Sequence, residues 1–175
     1  MNTEEKKGFS ERTTQLVALT ALILAIFATF SSLYAGGNAN NAILSQNKAN
    51  NGWAYYQAKS MKETMCQIQL EYLELAPPKD IEPENLQTLK NIYKEHADRY
   101  LAEEEQIRAE TQQHELDRDN FRNLNIGFKI AVVYLQIAIL LVSLAGLLKK
   151  IYFWYGGIVL GLFGIYHFVA TMMIS

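Results

Sequence analysis

The chain predicts an all-α membrane protein: three transmembrane helices, with a long antiparallel, coiled-coil-like helical hairpin inserted between the first and the second. Three observations predict it. Apolar segments at 16–35, 126–148 and 151–174 are each about 20 residues or more, enough to cross ~30 Å of hydrocarbon. Segment 36–125 holds 10 Lys/Arg and 15 Asp/Glu, a net of −5, and so almost all the ionisable groups. Pro77-Pro78 divides that insert into two stretches of similar length.

Taken in order, residues 1–15 carry Lys6, Lys7 and Arg12 against Glu4, Glu5 and Glu11, a net of zero. The apolar run at 16–35 exceeds a signal-peptide core and follows a long, partly acidic segment. It therefore reads as an uncleaved anchor, although Leu33-Tyr34-Ala35 would serve as a small-residue exit. Lys and Arg gather on two sides of the spans. Lys6, Lys7, Arg12 and the two-residue turn Lys149-Lys150 lie on one side, and Lys48, Arg118, Arg122 and Lys129 on the other. By the positive-inside rule the N-terminus and the turn at 149–150 are expected in the cytoplasm, with the insert outside it.

The first half of the insert lacks proline until Pro77. Met61, Met65, Ile68, Tyr72 and Leu75 form one stripe, continued backward through Ala58, Ala54, Asn51, Asn47 and Leu44. This is a 3.5-residue repeat and is expected to be the seam that packs on the second helix. Pro77-Pro78 stops the helix by excluding helical geometry before it and removing two amide donors. A tip is expected near 76–83. There Pro83 suits a first helical turn, and Asp80, Glu82 and Glu84 complement the amino-terminal dipole. The second helix then continues to Asn125, with Leu86, Tyr93, Tyr100, Ile107, His114 and Phe121 at a strict step of seven. The expected companion seam is polar: Leu89, His96, Glu103, Glu110, Asp117 and Leu124. A two-helix hairpin with so polar a seam is marginal alone, which argues for a neighbouring copy.

Within the spans, Gly157, Gly161 and Gly164 make a small-residue face for close helix packing, expected against Ser143, Ala145 and Gly146 or against another subunit. Gln136 and His167 are the polar side chains expected deep in the membrane, while Lys129 lies near a span end and can snorkel. The absence of Asp and Glu from the spans argues against an ion-coupled transporter. Trp53, Tyr55, Tyr56, Gln57, Lys59 and Lys62 combine aromatic and basic groups suited to an interface anchor. The plain alternative places the aromatics at the lipid headgroups.

No phosphate-binding loop, nucleophile elbow or cysteine cluster occurs in the sequence. Glu110 and His114 are four apart and could share a cation, but coincidence on an acidic helix explains them better. Cys66 is the one cysteine, which excludes an intramolecular disulfide and suits a helix seam. There is no basic run for nucleic acid. No enzymatic activity, cofactor or metal is expected.

The stretches Ala42-Ile43-Leu44-Ser45-Gln46-Asn47-Lys48-Ala49 and Trp53-Ala54-Tyr55-Tyr56-Gln57-Ala58-Lys59-Ser60-Met61-Lys62 resemble a bacterial membrane family known as domain of unknown function 4337. The layout is similar over nearly the whole chain. The resemblance implies the architecture and a bacterial inner membrane, and it brings no assigned activity. One departure is Lys48-Ala49-Asn50-Asn51-Gly52-Trp53, where Gly52 is expected to loosen the helix. The function expected is that of a non-enzymatic scaffold in the lipid bilayer. It would self-associate through hairpin and spans, or meet another membrane or periplasmic protein. The alternatives are an oligomeric channel or transport component, or an accessory subunit of a larger membrane complex.

Overall fold

The computed structural model describes residues 10–174. Residues 1–9, including Lys6 and Lys7 of the orientation argument, lie outside the described residues. Among the described residues three helices account for the fold: α1 (Glu11–Leu75), α2 (Pro83–Leu148) and α3 (Ile151–Ile174). All three are long and apolar enough to cross a membrane. The first two apolar segments and the helices of the insert are thus parts of the same two elements. α1 runs through Gly36-Gly37 and Gly52 without interruption. The expected loosening at Gly52 is corrected by the structure: α1 is helical through it, with Thr111 in close contact. α1 stops at Leu75, before the proline pair, and α2 starts on Pro83 with Glu84 in its first turn. Between α2 and α3, Lys149 adopts φ 52°, the left-handed residue that closes a helix end and lets the chain reverse within two residues.

The chain divides into two compact units. One runs to Ala42 and resumes at Asp119, and the other is Ile43–Arg118. In the first, α1 and α2 supply a core of Val17, Leu24, Leu135, Ala138 and Val142, against which Trp154, Leu160 and Ile165 of α3 pack. A second cluster comprises Ala35, Phe128, Ala131 and Phe168. Phe128 stacks on Tyr34 at 5.3 Å between ring centres and is tilted against Phe168 at 5.8 Å. The α1 positions that turn inward are Val17, Ala21, Leu24, Ala28, Ser31, Ala35, Asn38 and Ala42, in alternating steps of four and three. Buried Asn125 donates from Nδ2 to the Ala35 carbonyl at 2.6 Å, and Trp154 Nε1 donates to Thr20 Oγ1 at 3.2 Å. Both bonds satisfy polar groups drawn in between the helices.

In the second unit α1 and α2 run antiparallel. Trp53 meets Glu115, Gly52 meets Thr111 and Lys59 meets Glu103, so contacts descend along α2 as they ascend along α1. The inward α1 positions are Ser45, Ala49, Gly52, Tyr56, Lys59, Glu63, Cys66, Leu70 and Leu73, again in steps of four and three. This corrects the expected seam. Leu44, Met61, Met65, Ile68, Tyr72 and Leu75 are all more than half exposed. On α2 the step-of-seven series is turned inward, with Leu86, Tyr93, Tyr100 and His114 half-buried and Ile107 buried. Beside it Ala97, Glu104 and Thr111 are buried and Lys90 and Arg118 half-buried; of the expected companions Leu89, His96, Glu103 and Asp117 are half-buried too, Glu103 reaching Lys59 across the pair, and Glu110 is exposed. The physical reason is size. Ala49 is fully buried, and Gly52 admits Thr111 into space that a Cβ would occupy. Around Ala49 and Gly52 these small residues let α2 approach closely, while further along the covered stripe carries Tyr56, Lys59, Leu70 and Leu73.

That geometry sets a pair of opposite outcomes. Gly52→Val should destabilise the protein by about 1–3 kcal/mol through overpacking against Thr111. Gly36→Ala, where a Cβ meets nothing within 4 Å, should be neutral or stabilising by ~0.5–1 kcal/mol. Thermal unfolding of the detergent-solubilised protein, followed by circular dichroism, measures both.

Candidate functional site

The six aromatic and basic residues of the expected anchor lie on one stretch of α1, and the helix distributes them over its circumference. Trp53, Tyr56 and Lys59 are half-buried, whereas Tyr55, Gln57 and Lys62 are exposed. Trp53 Nε1 donates to Glu115 Oε1 at 3.0 Å, and its ring meets Tyr56 edge-on at 5.7 Å. Lys59 is ion-paired with Glu103. Its ammonium sits 5.2 Å from the Tyr55 ring centre and 5.3 Å from that of Tyr100. Lys62 and Arg99 approach the same Tyr100 ring at 6.0 and 5.1 Å. Tyr100 thus gathers three cations over one π-system, an attractive arrangement for each.

The electrostatics of this group follow from the pair at its centre. The Glu103 carboxylate holds Lys59 above its ordinary pKa, against the lowering effect of partial burial. Reciprocally, the Lys59 ammonium holds Glu103 below the usual carboxylate range. Of the three consecutive glutamates, Glu103 therefore pairs across the hairpin, Glu104 is buried and Glu105 is exposed. Glu104 Oε1 is buried with no hydrogen-bond partner among the described residues. A shallow groove beside the ion pair is lined in part by Lys48, Gly52, Gln106, Glu110 and His114. In it Glu110 accepts from Gln106 at 2.9 Å, while His114 lies 4.0 Å from Asp117. Cys66 is half-buried in the seam as a free thiol.

In the other unit the three glycines are buried contact points. A Cβ on Gly157 would lie 3.0 Å from the Ala138 carbonyl, one on Gly161 would be 2.6 Å from Leu24, and one on Gly164 would be 2.7 Å from Leu135. All three contacts are within the chain. Their partners are Ala138, Val142, Leu135 and Leu24, not the Ser143, Ala145 and Gly146 anticipated from the sequence. His167 stacks on Tyr134 at 6.0 Å. Gln136 is exposed, in a groove with Ala28, Thr29, Ser32, Leu33 and Val132. The two polar side chains thus have separate sets of neighbours.

Four contacts escaped sequence reasoning: Asn125 with Ala35, Trp154 with Thr20, Trp53 with Glu115, and Arg118 with Gln46, the last at 2.9 Å. The step of seven carried a signal for two of them. Asn125 and Arg118 each lie four residues after a member of that series.

These features define a class: an all-helical protein of three potential membrane helices, two of which continue into a polar, antiparallel helix pair. The family model described as "Domain of unknown function (DUF4337)" matches residues 13–174, and the chain belongs to that family. No curated protein and no solved structure matches it.

The ion pair gives the hairpin a pH dependence of known sign. Glu103 has a lowered folded pKa, so its contribution is present at neutral pH and is lost as pH falls below about 4. Lys59 has a raised folded pKa, so its contribution is lost as pH rises above about 10. Between those limits it should be flat. Glu103→Gln should flatten both limbs, as read by amide hydrogen exchange in the hairpin across pH.

Proposed function

We propose that this protein is a non-enzymatic membrane scaffold that self-associates through its helical hairpin and its membrane helices. Its place is a bacterial inner membrane, with the hairpin on the extracytoplasmic side. The observation that carries this reading is the hairpin's uncovered apolar surface. Leu44, Tyr55, Met61, Met65, Ile68, Tyr72 and Leu75 on α1 and Ile92, Leu101 and Leu116 on α2 are all exposed. A polar helix pair outside the bilayer gains by burying such side chains, at roughly 25 cal/mol per Å² of apolar area. Large apolar side chains left exposed in number on a polar helix pair favour an interaction site. Light scattering in nanodiscs or mild detergent should give a mass of two or more chains. A strictly monomeric protein in native-like lipid would sink the proposal.

A second reading has one observation in its favour. Gln136 is exposed beside Thr29 and Ser32, a polar strip on helices otherwise suited to lipid. An oligomer that turned this strip inward would line a channel. Planar bilayers carrying the oligomer should then conduct, and Gln136→Leu should abolish the current. Silent bilayers with intact oligomers exclude it.

A further inference from the structure

From the structure we infer that α1 pairs with the α1 of a second copy, in parallel and in register, along a stripe through Leu44, Ala58, Met61, Met65, Ile68 and Leu75. This deepens the self-association reading above and rests on it. Within the Ile43–Arg118 unit, α1 carries two stripes with the same 3.5-residue repeat. One is covered by α2. The other runs Leu44, Asn47, Asn51, Ala54, Ala58, Met61, Met65, Ile68, Tyr72 and Leu75, and every one of these residues is exposed. A lone surface helix needs no such repeat, since scattered exposed apolar residues follow no register. A stripe that steps by three and four for this length fits the groove of another helix.

Three properties identify that helix as another α1. The first is area. Leu44, Met61, Met65, Ile68, Tyr72 and Leu75 are 54–78% exposed. Together they offer on the order of 600–800 Å², close to the roughly 800 Å² that one partner gives a stable interface. The second is direction. Copies anchored by the same three apolar helices enter a bilayer in one orientation, so their α1 helices run parallel. The third is charge. In a parallel pair the residues flanking the stripe meet five apart across the seam. Gln57 then faces Lys62, Thr64 faces Gln69 and Glu71 faces Ala76 of the second copy, and no like charges oppose.

The composition of the stripe suits this arrangement. Ala54 and Ala58 allow close backbones, and Asn51 occupies the seam position at which asparagine fixes register between identical helices. Met61 and Met65 supply adaptable apolar contact towards the tip.

The test uses the full-length chain in membranes, with Cys66→Ser as background. Ala58→Cys places a thiol in the stripe, while Ala109→Cys places one at an exposed position of α2. Under mild oxidation Ala58→Cys should form a disulfide dimer at least ~5-fold more efficiently than Ala109→Cys, because only the stripe brings identical positions within disulfide reach. Met65→Glu, exposed in the single chain, should keep its helical circular dichroism and lose the dimer. Equal cross-linking at both positions, or a product that is not twice the chain mass, overturns the inference. If light scattering still reports an oligomer in that case, self-association stands and this seam falls. A monomer by both measures removes both proposals.

Discussion

Close approach at positions that carry little or no side chain is the contact on which both units depend. In the unit rich in apolar helix, Gly157, Gly161 and Gly164 accept Val142, Leu24 and Leu135 into space that any Cβ would fill. Gly127 does the same for Thr171. Lipid supplies no hydrophobic force between helices, so dispersion across such flat faces and a few hydrogen bonds must hold them. In the other unit Ala49 and Gly52 perform the same service against α2, with Thr111 at the point of contact.

That contact determines the chemistry around it. Once the small residues of α1 face α2, Trp53, Tyr56 and Lys59 lie on the inward side, where Glu115 and Glu103 receive them. The aromatic-basic segment is thereby split. Half of it stabilises the hairpin, and Tyr55, Gln57 and Lys62 remain exposed. The methionine-bearing stripe is displaced outward by the same choice. The covered stripe mixes Ser45, Ala49, Gly52, Lys59 and Glu63 with Tyr56, Cys66, Leu70 and Leu73, while the large side chains of Met61, Met65 and Ile68 stay outside it. This leaves the hairpin with apolar area still to bury.

Much of this was legible in the residues. The three apolar segments, the stop at Pro77-Pro78, the restart at Pro83 and the inward series through Tyr93, Tyr100 and Ile107 all follow from length, proline chemistry and periodicity. The facing surface of α1 was not. Two of its stripes share the same step, and ranking them by hydrophobicity selects the one with Met61, Met65 and Ile68. The covered stripe is the other one, where Gly52 admits Thr111 and Ala49 is fully buried. On α2 the expected companion series is half-buried apart from Glu110, and the more deeply buried Ala97, Glu104 and Thr111 lie one residue further along. Ala97 and Thr111 are small, and the charged Glu104 and Arg118 among them disguise the pattern.

Local chemistry was enough to read the apolar lengths, the stop before Pro77-Pro78, the restart at Pro83 and the short charged connection at Lys149-Lys150, whereas the continuity of α1 and α2 from apolar segment into insert came from the structure. Tertiary structure alone decided which stripe of α1 is covered, where Trp53 and Lys59 point, and that the three glycines meet Leu24, Leu135 and Val142 within the chain. Those are questions of fit between surfaces distant in sequence. Periodicity names the candidate faces of a helix, and only steric complementarity with a particular neighbour chooses among them.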